Sequence, residues 1–220
     1  MQQEPAKQDS DLGIFLVALA ALPDDQIDVA EGALRLAAAD RPGLSLDPYR
    51  HQLAGLGARA AQRHKDFIAA GAQDDLRTQI AALKQVLVDE EGYVGDLAPH
   101  DHMENANLIG TMNTRRGLPV TLGILYLHAA RGAGFDITGV DFPGHFLLRG
   151  QQGSDILLFD PADACRLLDA PDLRVLIKAA RGPMAELRTD YYRPLSNRGG
   201  LIRLLNNIKL RQVALYDYAG

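Results

Sequence analysis

Two side chains in the second half of the chain have the types and the spacing for acid–base chemistry. His145 stands in PGHFLL at the start of a predicted strand, and Asp160 ends the next predicted strand, in LLFDPAD. A hairpin loop over 150–153 would bring the two to corresponding ends of paired strands. An imidazole oriented by a carboxylate serves thiol acyl transfer, which also requires a cysteine at a helix N-terminus. The single cysteine, Cys165, follows Asp160 instead, and we expect it to be a small buried residue.

Composition and charge exclude several classes of protein. The net charge is -5 and the pI is about 5.6, so the chain lacks the excess of basic residues that is typical of nucleic-acid-binding proteins. The apolar run 14–22 is too short to span a membrane, and Asp9 and Asp11 precede it, so no membrane association is expected. One cysteine rules out an intramolecular disulfide framework and fits the cytoplasm.

The first half of the chain has a helical pattern. Residues 1–10 are polar without periodicity and are predicted to be a disordered tail. From 11 to 90, apolar residues recur at intervals of three and four, with breaks near Pro23, Pro42 and Gly71. The pattern predicts four helices, at about 10–21, 25–39, 47–69 and 73–89, which form an N-terminal lobe. Asp47 followed by Pro48 is a typical helix start.

The second half changes from a helical to a strand period. A short helix is predicted over 106–113 and a longer one over 119–132. Strands follow over 136–142, 144–150 and 155–160, with a short one over 166–169 and a helix after Pro171. The core is expected to cover 91–192, and an amphipathic helix lies within 193–220. An antiparallel sheet beside helices indicates the α+β class.

Several motifs, in a fixed order, carry a family resemblance. They are YVGD (93–96), ENANL (104–108), RRGLPVTL (115–122), FPGHFLLR (142–149), FDP (159–161) and RPLSNRGGLIRLLNNIK (193–209). Through them, residues of roughly 75–215 resemble the SirB family of transglutaminase-like proteins. The resemblance implies a papain-like core, and it implies that 193–220 begins a tetratricopeptide-like helical region.

The resemblance also locates the position of the missing thiol. In transglutaminase-like enzymes the nucleophile opens a helix that ends about fifteen residues later, at a glycine before a strand. Counting back from Gly134 gives Pro119, which has neither a nucleophile nor an N–H group. In papain-like sites that N–H is one of the oxyanion donors, so both functions would be lost together. We therefore expect a non-catalytic, cofactor-free protein that acts as a protein- or peptide-binding or regulatory module.

An enzyme is the alternative hypothesis. A hydrolase or acyl transferase could use the pair His145 and Asp160 with Thr121, a water or a metal. Thr121, one turn into the helix, either offers its hydroxyl or is an ordinary first-turn threonine. The best metal candidates are His100, His102 and Glu104, although no second pair at ligand spacing supports them and a surface loop often carries such residues.

A binding role in the former active-site cleft would involve another set of residues. Asn105 and Asn107 either line the cleft with their amides or cap the short helix. Arg116 either binds a carboxylate beside the cleft or is solvated. Pro119 at the helix start and Gly144 in the turn before His145 complete the predicted binding set.

Overall fold

The computed structural model describes residues 5–39, 41–96 and 103–217 as an α+β fold, which confirms the predicted class. The helices are α1 (Pro5–Ala21), α2 (Val29–Ala38), α3 (Asp47–Ala69), α4 (Leu76–Lys84), α5 (Leu108–Thr114), α6 (Pro119–Ala133), α7 (Ala170–Arg181) and α8 (Asn197–Asp217). The strands are β1 (Val94–Gly95), β2 (Arg116–Gly117), β3 (Ile137–Phe142), β4 (His145–Gln152), β5 (Asp155–Asp160) and β6 (Arg166–Leu168).

The N-terminal helices differ from the prediction mainly at their starts. Helix α1 begins at Pro5, within the stretch expected to be a tail. The predicted helix over 25–39 is divided into a 3-10 turn, Asp24–Gln26, and helix α2, because the Asp28 carboxylate caps α2 by accepting from the N–H groups of Ala30 and Glu31. The helix predicted over 73–89 becomes α4 followed by a π-helical turn, Gln85–Glu90.

Strands β3 to β6 form one antiparallel sheet in sequential order. The register pairs Phe142 with His145 across the tight turn, Leu148 with Phe159, and Asp160 with Arg166. The predicted strands are therefore confirmed. Strands β1 and β2 were not predicted, since a parallel pair of two-residue strands is too short to show a period of two.

Strand alternation gives the sheet two buried faces. Phe146, Leu148 and Phe159 belong to a large cluster that also holds the buried side of α6. Val140, Leu147 and Leu158 belong to a smaller cluster with Leu173 and Ile177 of α7. The sheet is therefore covered by α6 on one face and by α7 on the other.

The larger cluster joins the predicted lobe to the predicted core. It includes Leu34 of α2, Leu56 of α3, Leu83 of α4, Leu122 of α6 and Leu204 of α8, all at most 1% exposed. The helices of 11–90 thus share one hydrophobic core with the sheet. The division into a helical lobe at 11–90 and a core at 91–192 stays a prediction.

Helix α3 crosses α6 at two glycines. A Cβ added to Gly57 would lie 2.5 Å from the Cα of Gly132, which is shorter than any real carbon–carbon contact. The absence of side chains at this crossing lets the two backbones touch. In the described parts of the chain, no helix is both long and apolar enough to cross a membrane.

Candidate functional site

Helix α6 begins and ends where the motif spacing put it. Leu118 is the extended N-cap residue, Pro119 follows as the first helical residue, and Gly134 ends the helix in the left-handed region with φ 76°. Proline is favoured at the first position, because that N–H has no intrahelical partner and the ring fixes a helical φ. The position assigned to a nucleophile is therefore a regular helix start without a nucleophile.

Asn105 ties the segment before α5 to the start of α6. It is 6% exposed, and its carbonyl accepts from the Leu118 N–H at 3.0 Å. Its side-chain amide donates a short hydrogen bond to the Asp96 carboxylate. Of the two roles considered for Asn105, the structure shows a buried bridging role at the base of α6, with the amide directed at an acid.

Thr121 uses its hydroxyl locally. The side chain is fully buried, and Oγ1 lies 2.9 Å from the Asn105 carbonyl and 3.0 Å from the Leu118 carbonyl. Within the described residues it makes no hydrogen bond with His145. This geometry fits the first-turn alternative, and a hydroxyl held on carbonyl acceptors has no base to activate it.

Asn107 is a helix cap. Its Oδ1 accepts from the Gly110 N–H at 3.0 Å, and its Nδ2 donates to the Ala37 carbonyl at 2.9 Å. The capping alternative therefore describes Asn107, and the second bond fastens α5 to α2. Sequence spacing alone could not separate this role from cleft lining, since both need an amide at a helix start.

His145 and Asp160 lie near each other without a hydrogen bond between them in the described structure. His145 is partly exposed and follows the Pro143–Gly144 turn, where Gly144 has φ 76°. Because Leu148 pairs with Phe159, Asp160 lies beside Leu147, two positions along the strand from His145. The Asp160 carboxylate accepts from the Ala162 N–H at 2.8 Å instead. The pair is thus a neighbouring imidazole and carboxyl, and the carboxyl closes a turn.

Burial raises the pKa of Asp160, while the hydrogen bond from the Ala162 N–H and, to a smaller extent, nearby His145 lower it. A carboxyl whose pKa is higher folded than unfolded favours the folded state at low pH, and this stabilisation is lost as pH rises through the folded pKa. We expect Asp160→Asn, which keeps an oxygen for the Ala162 N–H, to gain unfolding free energy relative to the parent as pH rises from about 3 to 6.

Urea unfolding across that pH range measures this difference. Asp155→Asn, on the same strand but exposed, reports the general effect of removing a negative charge. If the unfolding free energy of Asp160→Asn falls relative to the parent as pH rises, the folded protein stabilises the charged carboxylate and burial does not dominate its pKa.

Cys165 is a buried thiol. It is 5% exposed, its Sγ lies 3.0 Å from the Tyr126 hydroxyl oxygen, and burial raises its pKa to about 12. The thiolate is the reactive form of cysteine, so a high pKa opposes reactivity. Its expected role as a small core residue agrees with this environment.

Only part of the predicted metal cluster can be placed. His100 and His102 lie outside the described residues, while Glu104 is exposed and pairs with Arg41 at 2.5 Å. Among the described residues, no three His, Cys, Asp or Glu side chains are grouped so that they could hold a metal ion. The Glu104 carboxylate is engaged by a guanidinium from the loop after α2.

The two adjacent arginines before α6 have different surroundings. Arg116 is exposed in β2. Arg115 adopts a left-handed conformation with φ 63°, pairs with Glu91 at 3.1 Å and donates a short hydrogen bond to the Tyr93 hydroxyl. Sequence reasoning missed this network, because a non-glycine residue in the left-handed region has no clear signal in the sequence.

A groove of about 730 Å³ lies at the other end of α6 from Pro119. It runs between the turn before α2, the second half of α6, strand β3 and the segment before α8; we call it the β3 groove. Its lining includes Asp25, Leu127, Arg131, Asp136, Ile137 and Leu195. It was not predicted, since its walls come from segments far apart in the sequence.

Comparisons with known proteins agree with the fold. The model of the family described as transglutaminase-like superfamily matches residues 47–206. A UPF0162 protein of Xylella fastidiosa is 27% identical over 196 residues, which cover 87% of this chain and 67% of that protein. A UPF0162 protein of Pseudomonas aeruginosa is 33% identical over 142 residues, or 63% of this chain and 52% of that protein.

F-box only protein 21 of Homo sapiens is 32% identical over 90 residues, which are 39% of this chain and 14% of that protein. The matched part of the chain thus spans about two thirds of the length of the Xylella relative and about half of the Pseudomonas one. No solved structure matches the chain.

Proposed function

This chain belongs to the transglutaminase-like superfamily, and we propose that it is a non-catalytic member that acts as a protein- or peptide-binding, regulatory module. The order of its motifs, from YVGD to RPLSN, further supports a place in the SirB branch. The support for this proposal comes from the site residues of the chain itself, because a superfamily fold does not determine chemistry.

Pro119 at the start of α6 is the observation that carries the proposal. Covalent acyl transfer needs a nucleophile whose attack is activated by a base. Here the helix start offers a ring carbon in place of a thiol and lacks the N–H that would help to hold an oxyanion. The hydroxyl of Thr121, two residues further along α6, bonds to two backbone carbonyls.

Water activated by His145 is the rival mechanism. The observation in its favour is the sheet register, which places Asp160 beside Leu147, two positions along the strand from His145. Against it, the carboxylate is directed at the Ala162 N–H, so nothing in the described structure orients the imidazole as a general base.

Turnover measurements separate the two functions. The protein is mixed with a glutamine-containing peptide and a fluorescent primary amine, and separately with p-nitrophenyl acetate. We expect the parent, His145→Ala and His51→Ala proteins to give the same background rate, since His51 is an exposed histidine of α3 that serves as the matched control. A parent rate above background that falls about tenfold or more only in His145→Ala would establish the enzyme instead.

A further inference from the structure

The β3 groove has the size and the lining of a ligand site. Its volume of about 730 Å³ lies within the range of small-molecule and peptide pockets. Apolar side chains from five different segments line it: Val29, Leu127, Ile137, Phe146 and Leu195. Val29, Ile137 and Phe146 are buried, so Leu127 and Leu195, which are partly exposed, form the apolar surface that a partner can contact.

The charges on the groove are unbalanced toward the negative. Asp25 and Asp136 are exposed carboxylates on its lining, and no described residue forms an ion pair with either. Asp24 is already used, since it accepts from the N–H groups of Asn197 and Arg198 at the start of α8. The groove's arginine, Arg131, donates to the carbonyl of Ile27 and to the side chain of Asn197.

The wall formed by β3 is a sheet edge. Strand β3 is the outermost strand of the four, and the Leu195 N–H donates to the Gly139 carbonyl at 2.7 Å from the side away from β4. Because alternate residues of an antiparallel strand turn their main-chain groups to the same side, Ile137 presents its carbonyl toward the groove as Gly139 does. The Ile137 N–H already donates to the Phe135 carbonyl, so the Ile137 carbonyl is the group on this stretch of the edge that can accept from another extended chain.

We propose that the β3 groove binds an extended peptide segment that carries lysine or arginine beside apolar side chains. The peptide extends the edge pairing that Leu195 begins on β3 by donating an N–H to the Ile137 carbonyl. Its cations face Asp25 and Asp136, and its apolar side chains cover Leu127 and Leu195. This inference rests on the proposed binding function and names the partner class and the surface.

The test uses the full chain and two acetylated, amidated pentapeptides, one alternating lysine with valine and one alternating glutamate with valine. Amide NMR shifts are followed on titration. We expect the lysine peptide to shift Arg131 and the residues from Ile137 to Gly139, and to bind several times more tightly than the glutamate peptide. The double variant Asp25→Asn, Asp136→Asn should weaken lysine-peptide binding roughly fivefold.

Asp155→Asn is the matched control, because it removes an exposed carboxylate from the same sheet outside the groove, and it should leave the affinity unchanged. Equal binding of the two peptides, unaltered affinity in the double variant, or shifts confined to the surroundings of His145 would overturn the assignment. A titration with spermidine that gives the same shifts and the same affinity as the lysine peptide would also overturn it, because the groove would then bind a small amine.

The outcomes also separate this inference from the proposed function. If the protein shows no turnover and the peptide causes no shifts in the groove, the groove assignment is wrong and the non-catalytic proposal stands. If the protein binds the lysine peptide at β3 and also shows turnover that depends on His145, the groove assignment stands and the non-catalytic proposal is wrong.

Discussion

Native protein is expected to react with DTNB about a thousandfold more slowly at pH 8 than the chain unfolded in urea. Burial raises the pKa of Cys165 from 9.0 to about 12, and each unit lowers the thiolate fraction about tenfold at a pH below the pKa. The side chain is also only 5% exposed, so the reagent has little access to the sulfur without an opening of the fold.

A matched control places a thiol on the surface. Ser154→Cys in a Cys165→Ala background puts the cysteine in the exposed turn between β4 and β5, and it should react at about the rate of the unfolded chain. Labelling of native Cys165 within tenfold of that control would show an accessible, ionised thiol and would return cysteine chemistry to this protein.

Replacing Gly57 by alanine is expected to lower the free energy of unfolding by about 2–3 kcal/mol. The new Cβ would meet the Gly132 backbone at 2.5 Å, and the nearest atoms belong to main chain that cannot turn aside. Helices α3 and α6 would have to separate, and α6 carries Pro119 at its start, so the site would shift as well.

Gly55→Ala is the control in the same helix. Gly55 is exposed, and nothing lies within 4 Å of a Cβ built there. Alanine should stabilise the protein by about 0.5–1 kcal/mol, because glycine loses more backbone freedom on folding. Urea unfolding of the two variants measures both. Equal stabilities would mean that α3 and α6 do not cross at the glycines.

The parts of the fold that repeat a period could be predicted from the sequence. Strands β3 to β6 are short apolar segments bounded by turn residues, and Pro119 and Gly134 delimit α6 by their backbone preferences. The starts of α2 and α4 were missed, since they depend on whether Asp28 and Asp75 turn their carboxylates toward a helix. That choice depends on the tertiary contacts of the preceding turn.

The candidate site could be predicted only as a set of residues, without their bonds. The sequence put His145 and Asp160 on neighbouring strands, but a two-residue offset and the Ala162 N–H decide where the carboxylate is directed. It also left open whether Asn107 was a cap, which the Gly110 N–H decides. The β3 groove has no local signal, because its acids and apolar side chains converge only in three dimensions.

The central claim is that the chain forms no acyl-enzyme, and intact-mass spectrometry tests it most directly. The protein is incubated with p-nitrophenyl acetate or a glutamine-containing peptide, quenched in acid and weighed, with His145→Ala treated in parallel. The predicted result is the same mass profile for both proteins, with no adduct dependent on His145. A single acyl adduct on the parent that is absent from His145→Ala would contradict the claim, because it would show a nucleophile activated by that imidazole.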